Sequence, residues 1–174
     1  VNPTDGNVLY ASIAAEGKLY RSEDGGTTWT SLPHWSCETL AFHPEDPRTA
    51  YCGAGGGLSV TRDAGARWDA VYSLKMNGGS TTAITVSRAN PQLIWVGGSG
   101  LYQSLDGGVS WAERSSGIGA GHLELRLHPT DSSILFVERP DGQLYRSSDE
   151  GRAWTLIEDS GSGLAFDAGG GALY

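Results

Sequence analysis

Ser22, Asp24, Gly26 and Trp29 stand at fixed offsets in SEDGGTTW. The same four-point pattern returns in TRDAGARW (Thr61, Asp63, Gly65, Trp68), SLDGGVSW (Ser104, Asp106, Gly108, Trp111) and SSDEGRAW (Ser147, Asp149, Gly151, Trp154). A carboxylate two residues from a hydroxyl is a candidate general base, a ligand for a hard cation, or an acceptor for turn amides. Repetition decides among these, because one reaction or one ion rarely needs four dispersed copies, whereas four hairpins do. In the turn reading the carboxylate accepts the main-chain N–H groups that follow it, and the glycine adopts positive φ without a Cβ clash. The hydroxyl bonds locally, and the indole folds over the hairpin, burying roughly 150–250 Å². All four octets are therefore read as structural, with no metal, cofactor or catalytic group assigned to them.

The elements that must hold such hairpins are legible around them. Leucine stands three positions before each hydroxyl residue (Leu19, Leu58, Leu101, Leu144), and three of the four copies follow it with tyrosine. Further upstream, VNPTDGNVLYAS, FHPEDPRTAYCG, VSRANPQLIWVG and LHPTDSSILFVE align as strand, turn and strand. Asp5, Asp46, Asn90 and Asp131 sit at the turns, followed by the aromatics Tyr10, Tyr51, Trp95 and Phe136. The spacing from one octet aspartate to the next is 39, 43 and 43 residues, within the range of propeller blades. In the second copy the unit reads as four strands, 38–42, 49–53, 58–62 and 67–72, labelled A to D in order. The octet is the C–D hairpin loop.

Ser/Thr-x-Asp-x-Gly-x-x-Trp resembles the Asp-box, or bacterial neuraminidase repeat, and all four copies match its four defining positions. The resemblance implies an all-β fold: a β-propeller arc of four blades, each of four antiparallel strands, within a single domain over 1–174. Approximate blades are 1–36, 37–80, 81–121 and 122–161, with 162–174 starting a further one. The superfamily includes sialidases, xyloglucanase-like glycoside hydrolases, sortilin-type receptors and photosystem II assembly propellers, so the repeat does not choose an activity.

Alternating strands put the A–B turns and octets on one face and the B–C loops and D–A crossings on the other. Propeller ligands commonly sit on the second face, which supplies the ligand-binding candidates Glu16, His34, Trp35, Asn77, Arg139 and Asp141. An aromatic beside polar groups suits a sugar face; the alternative for Trp35 is packing between blades, and for the loop carboxylates plain solvation. His43 and His128 share one repeat position before a proline and are read as scaffold.

Sialidases resembling this fold use three arginines, a tyrosine nucleophile with a glutamate partner, and an aspartate, often with Arg-Ile-Pro near the start. No Arg-Ile-Pro occurs here. Xyloglucanase-like enzymes need paired carboxylates across a cleft, and 10–20 (YASIAAEGKLY) shows no aspartate at the matching loop. The expectation is a non-catalytic binding or scaffold module for a protein or glycan. The alternative is part of a glycoside hydrolase, sialidase or xyloglucanase-like, whose catalytic residues lie largely outside this segment.

Composition narrows the partners. A net charge of −8 and a pI near 4.8 exclude the clustered cations that nucleic acid or an anionic membrane requires. No stretch approaches the ~20 apolar residues of a membrane-inserted span. Cys37 and Cys52 are too few for a disulfide framework, and their redox state is open. Secreted or periplasmic placement follows from the resemblance. Because Tyr174 realigns with Tyr10, the ends suggest an arc of a larger propeller, with exposed edges open to further blades or self-association. The alternative is that 164–166 docks on the first B strand and closes a small ring.

Overall fold

The computed structural model describes residues 1–174 except 72–73, 75–78, 120, 122, 129, 159–164, 167–171 and 174. Alternating apolar runs separated by Gly, Pro and Asp give short strands, and each meanders antiparallel to the one before it. The first sheet holds β1 (Leu9–Ile13), β2 (Lys18–Ser22) and β3 (Thr30–Ser31). The second holds β4 (Thr39–Phe42), β5 (Ala50–Ala54), β6 (Gly57–Thr61) and β7 (Asp69–Ala70). In the third stand β8 (Ala83–Val86), β9 (Ile94–Gly97), β10 (Leu101–Ser104) and β11 (Ala112–Glu113). The fourth has β12 (Glu124–Leu127), β13 (Leu135–Glu138), β14 (Leu144–Ser147) and β15 (Thr155–Glu158). A further pair, β16 (Ala165–Phe166) and β17 (Ala172–Leu173), follows.

The sheets follow the repeat with two departures. Among the described residues the first sheet has three strands rather than four. The D strands of the first three sheets are only two residues long, so the expected 67–72 strand contracts to Asp69–Ala70. An outermost strand pairs on one side only, and the chain leaves it quickly for the next crossing. Residues 165–166 pair antiparallel with β17, and among the described residues β1 pairs with β2.

The core lies between sheets. Tyr51, Leu58, Val60, Ile84, Ile94 and Val96 form the cluster joining the second and third, with Trp111 packed on it. Trp95, Leu101, Ile118, Leu123, Leu135 and Val137 join the third and fourth, with Trp154 alongside. Leu19, Cys37 and Cys52 join the first and second, with Trp68 and Tyr10 alongside. Each octet tryptophan after the first thus packs into the interface with the preceding blade, a role beyond the local one its sequence position suggests. β8 lies against both β4 and β12, which puts the first strands of these sheets side by side on the inner ring.

Close backbone approach fixes how one blade meets the next. A Cβ on Gly53 would stand 2.4 Å from Thr81 Cγ2, and one on Gly97 would stand 2.9 Å from the Leu123 carbonyl. These equivalent positions lie at or next to the last residue of the B strands, where the following crossing lies down on them. In the first blade the same position is Ser12, whose hydroxyl donates to Cys37 O and accepts from Cys37 N, both at 2.7 Å.

Candidate functional site

The octets are built as their residues dictate. Ser22 Oγ donates to Asp24 Oδ1 at 2.8 Å and accepts from Gly26 N at 2.8 Å. Thr61, Ser104 and Ser147 repeat both bonds. The carboxylate also accepts the N–H four residues on, from Thr28, Arg67, Ser110 and Ala153. Gly26, Gly65, Gly108 and Gly151 all have positive φ, and so do the residues before them, including Ala64 and Glu150. Each of those preceding residues donates its N–H to the A–B turn of its own blade: Gly25 to Asn7, Ala64 to Arg48, Gly107 to Gln92 and Glu150 to Ser133. The octets and A–B turns therefore share a face.

Electrostatics follow from the donors. Hydrogen bonds from Thr28 and Ser22 lower the Asp24 pKa to about 2, and those from Ser110 and Ser104 lower Asp106 to about 2. Asp63 and Asp149 are lowered chiefly by the backbone N–H groups of Arg67 and Ala153. A carboxylate so occupied has its lone pairs committed to the loop. The A–B turns are capped in parallel: Asn2 Oδ1, His43 Nδ1, Ser87 Oγ and His128 Nδ1 each accept turn amides. His43 and His128 occupy the equivalent positions that the repeat assigned to the scaffold.

The opposite face carries an open cleft of about 500 Å³ between the first two blades. Gly17 of the β1–β2 loop, the crossing Pro33–Trp35, and Ser59, Trp68 and Ala70 of the second blade line it. Trp35 is 73% exposed. The His34 ring lies 4.7 Å from the Trp68 ring and 6.0 Å from that of Trp35, both tilted. Trp68 differs from the other octet tryptophans. Trp29 and Trp111 donate Nε1–H to their own loop glycine and Trp154 donates to Arg114 O, whereas Trp68 Nε1 is buried with no hydrogen-bond partner.

Of the sequence candidates, His34 and Trp35 come together in this cleft. Glu16 ends a short 3₁₀ turn, Ala14–Glu16, beside Gly17, and accepts the Tyr20 hydroxyl at 2.5 Å. Arg139 instead ties the fourth blade to the preceding crossing, donating to Ile118 O at 3.1 Å and pairing with Asp141 at 3.0 Å. Asn77 lies outside the described residues. Sequence reasoning missed three features. Trp68 enters the cleft as well as its octet. Cys37 and Cys52 form a disulfide with Cα atoms 5.4 Å apart, pinning the crossing to β5. A second cleft of about 360 Å³, lined by Thr85, Arg88, Arg126 and His128 among others, opens between β8 and β12. The cysteines were findable, since one lies on a crossing and the other on the B strand beneath it.

No family model matches the chain. It is similar to a probable oligoxyloglucan-reducing end-specific xyloglucanase of Neosartorya fischeri, 28% identical over 156 residues, covering 80% of this chain and 19% of that protein. Among solved structures, an ancestral GH74 enzyme superposes with a TM-score of 0.82 at 18% identity, covering 98% of this chain and 26% of the other. YCF48 bound to D1 peptide gives a TM-score of 0.59 at 19% identity, covering 76% of this chain and 44% of the other. The fold is that of a β-propeller, and the chain spans about a fifth of the length of the xyloglucanase it matches.

Proposed function

We propose that the chain is an Asp-box propeller arc of a xyloglucanase-type glycoside hydrolase, and that the cleft between its first two blades holds the glycan. The observation that carries this reading is the exposed Trp35 indole beside Trp68 and His34, on the face away from the octets. An indole offers an apolar plane to the C–H face of a pyranose, while the imidazole and the Ser59 hydroxyl suit its rim of hydroxyls. Similarity to a xyloglucanase along 80% of the chain favours a β-glucan as occupant. Hydrolysis needs two carboxylates flanking the scissile bond, and the reading gives this arc substrate holding rather than bond cleavage.

The Cys37–Cys52 disulfide and the xyloglucanase similarity support an extracytoplasmic, oxidising location. A protein ligand is the second reading, favoured by the similarity to a propeller bound to a peptide.

Isothermal titration with xyloglucan oligosaccharides tests the glycan reading. The wild-type chain binds, and Trp35→Ala weakens binding about tenfold, the equivalent of about 1.4 kcal/mol, with unchanged melting because the side chain is exposed. A chain that gives no heat with any β-glucan oligosaccharide, or a variant that binds equally well, refutes it.

A further inference from the structure

We propose that Cys37 and Cys52, once reduced, join His34 in a binding site for one divalent cation of the zinc class. Ligand atoms of the three residues all lie within 4.8 Å of one another, and His34 Nδ1 stands 3.8 Å from Cys52 Sγ. A tetrahedral site with Zn–S of about 2.3 Å and Zn–N of about 2.0–2.1 Å needs a sulfur–nitrogen separation of about 3.6 Å and a sulfur–sulfur separation of about 3.8 Å. The imidazole is thus already near its place beside Cys52. No other group of three His, Cys, Asp or Glu side chains converges in this way among the described residues.

The surroundings suit thiolates and a borderline-soft ion. Both cysteines are buried against Leu19, Leu40 and Trp68, and the Trp68 ring holds the imidazole in place. His34 Nδ1 lies 2.8 Å from the Trp35 carbonyl, so coordination through Nδ1 exchanges that hydrogen bond for a metal–nitrogen bond. Three protein ligands leave a fourth position for water. The disulfide and the metal are then alternative locks on one junction, each tying the crossing to β5.

The conversion balances with a dithiol as reductant. The sulfur–sulfur bond takes up two electrons and two protons, giving two thiols, while the dithiol closes to its own disulfide. Cation binding then displaces both thiol protons into solvent.

The chain is reduced with dithiothreitol, freed of reductant by anaerobic gel filtration, and titrated with Co²⁺ as a spectroscopic substitute at neutral pH. The expected result is one Co²⁺ per chain, with thiolate-to-cobalt charge transfer, tetrahedral d–d bands, release of two protons and displacement by Zn²⁺. The oxidised chain and the Cys37→Ser/Cys52→Ser double variant show none of this, and His34→Ala weakens binding more than about tenfold. Three results overturn the proposal: no stoichiometric binding by the reduced chain, equal binding by the oxidised chain, or full affinity in His34→Ala. So does a reduced chain that loses its circular dichroism and is not restored by Zn²⁺. No glycan enters the assay, so its failure is separable from that of the carbohydrate reading.

Discussion

At the scale of the residue, the four octet aspartates share a skeleton but not an environment. Thr28 and Ser110, four residues after Asp24 and Asp106, donate a hydroxyl as well as an amide, at 2.6 and 2.5 Å from Oδ2. Arg67 and Ala153 at the same position supply the amide to Oδ1. Removing one hydroxyl should therefore move one pKa: Ser110→Ala raises Asp106 from about 2 toward the ordinary carboxylate value and leaves Asp24 where it is. Carboxyl-carbon NMR titration reads both groups in one sample, and an unmoved Asp106 would remove the hydroxyl from the account. These bonds span four residues or fewer, which is why the octets were legible in the sequence. The convergence of His34 with Trp68 was not, because it depends on where a crossing lands on the next blade. Ala64 and Glu150 show the limit of reading glycines alone, for the same positive φ is held there by a side-chain-bearing residue.

At the scale of the element, the crossing decides the fold's tolerances. Its seat on the preceding B strand leaves no room for a methyl group at Gly53, where Thr81 Cγ2 and Cβ and Thr39 Cγ2 would all fall within 3 Å. Gly53→Ala is expected to cost roughly 1–3 kcal/mol by overpacking. Gly57→Ala nearby meets only the Ala54 carbonyl at 3.6 Å and should stay within about 0.5 kcal/mol of wild type. Urea denaturation compares the two, and equal midpoints would show that the crossing can lift without cost. The order of strands and the A–B turns followed from the repeat itself. The contraction of β7 to Asp69–Ala70 did not, since an apolar run such as RWDAVY does not say when its outer edge stops pairing.

At the scale of the whole molecule, the repeated carboxylates couple stability to acidity. Asp24, Asp63, Asp106 and Asp149 all have folded-state pKa values below the ordinary value of 3.8, so the unfolded chain takes up protons first as the pH falls. Their contribution is fully present above that value, declines through the interval below it, and for Asp24 and Asp106 is lost as the pH falls through about 2. Melting temperatures across an acid series should fall through this interval, and less steeply when Asp24 and Asp106 are both replaced by Asn. An unchanged slope would mean that the octets hold their shape without charge.

The way Ser12, Gly53 and Gly97 each receive the segment that follows gives the arc a direction. Each of the first three sheets is overlapped by its successor, as shingles are on a roof. A polypeptide leaving the ribosome amino end first lays each course on one already finished, so assembly during translation proceeds with the grain of the molecule.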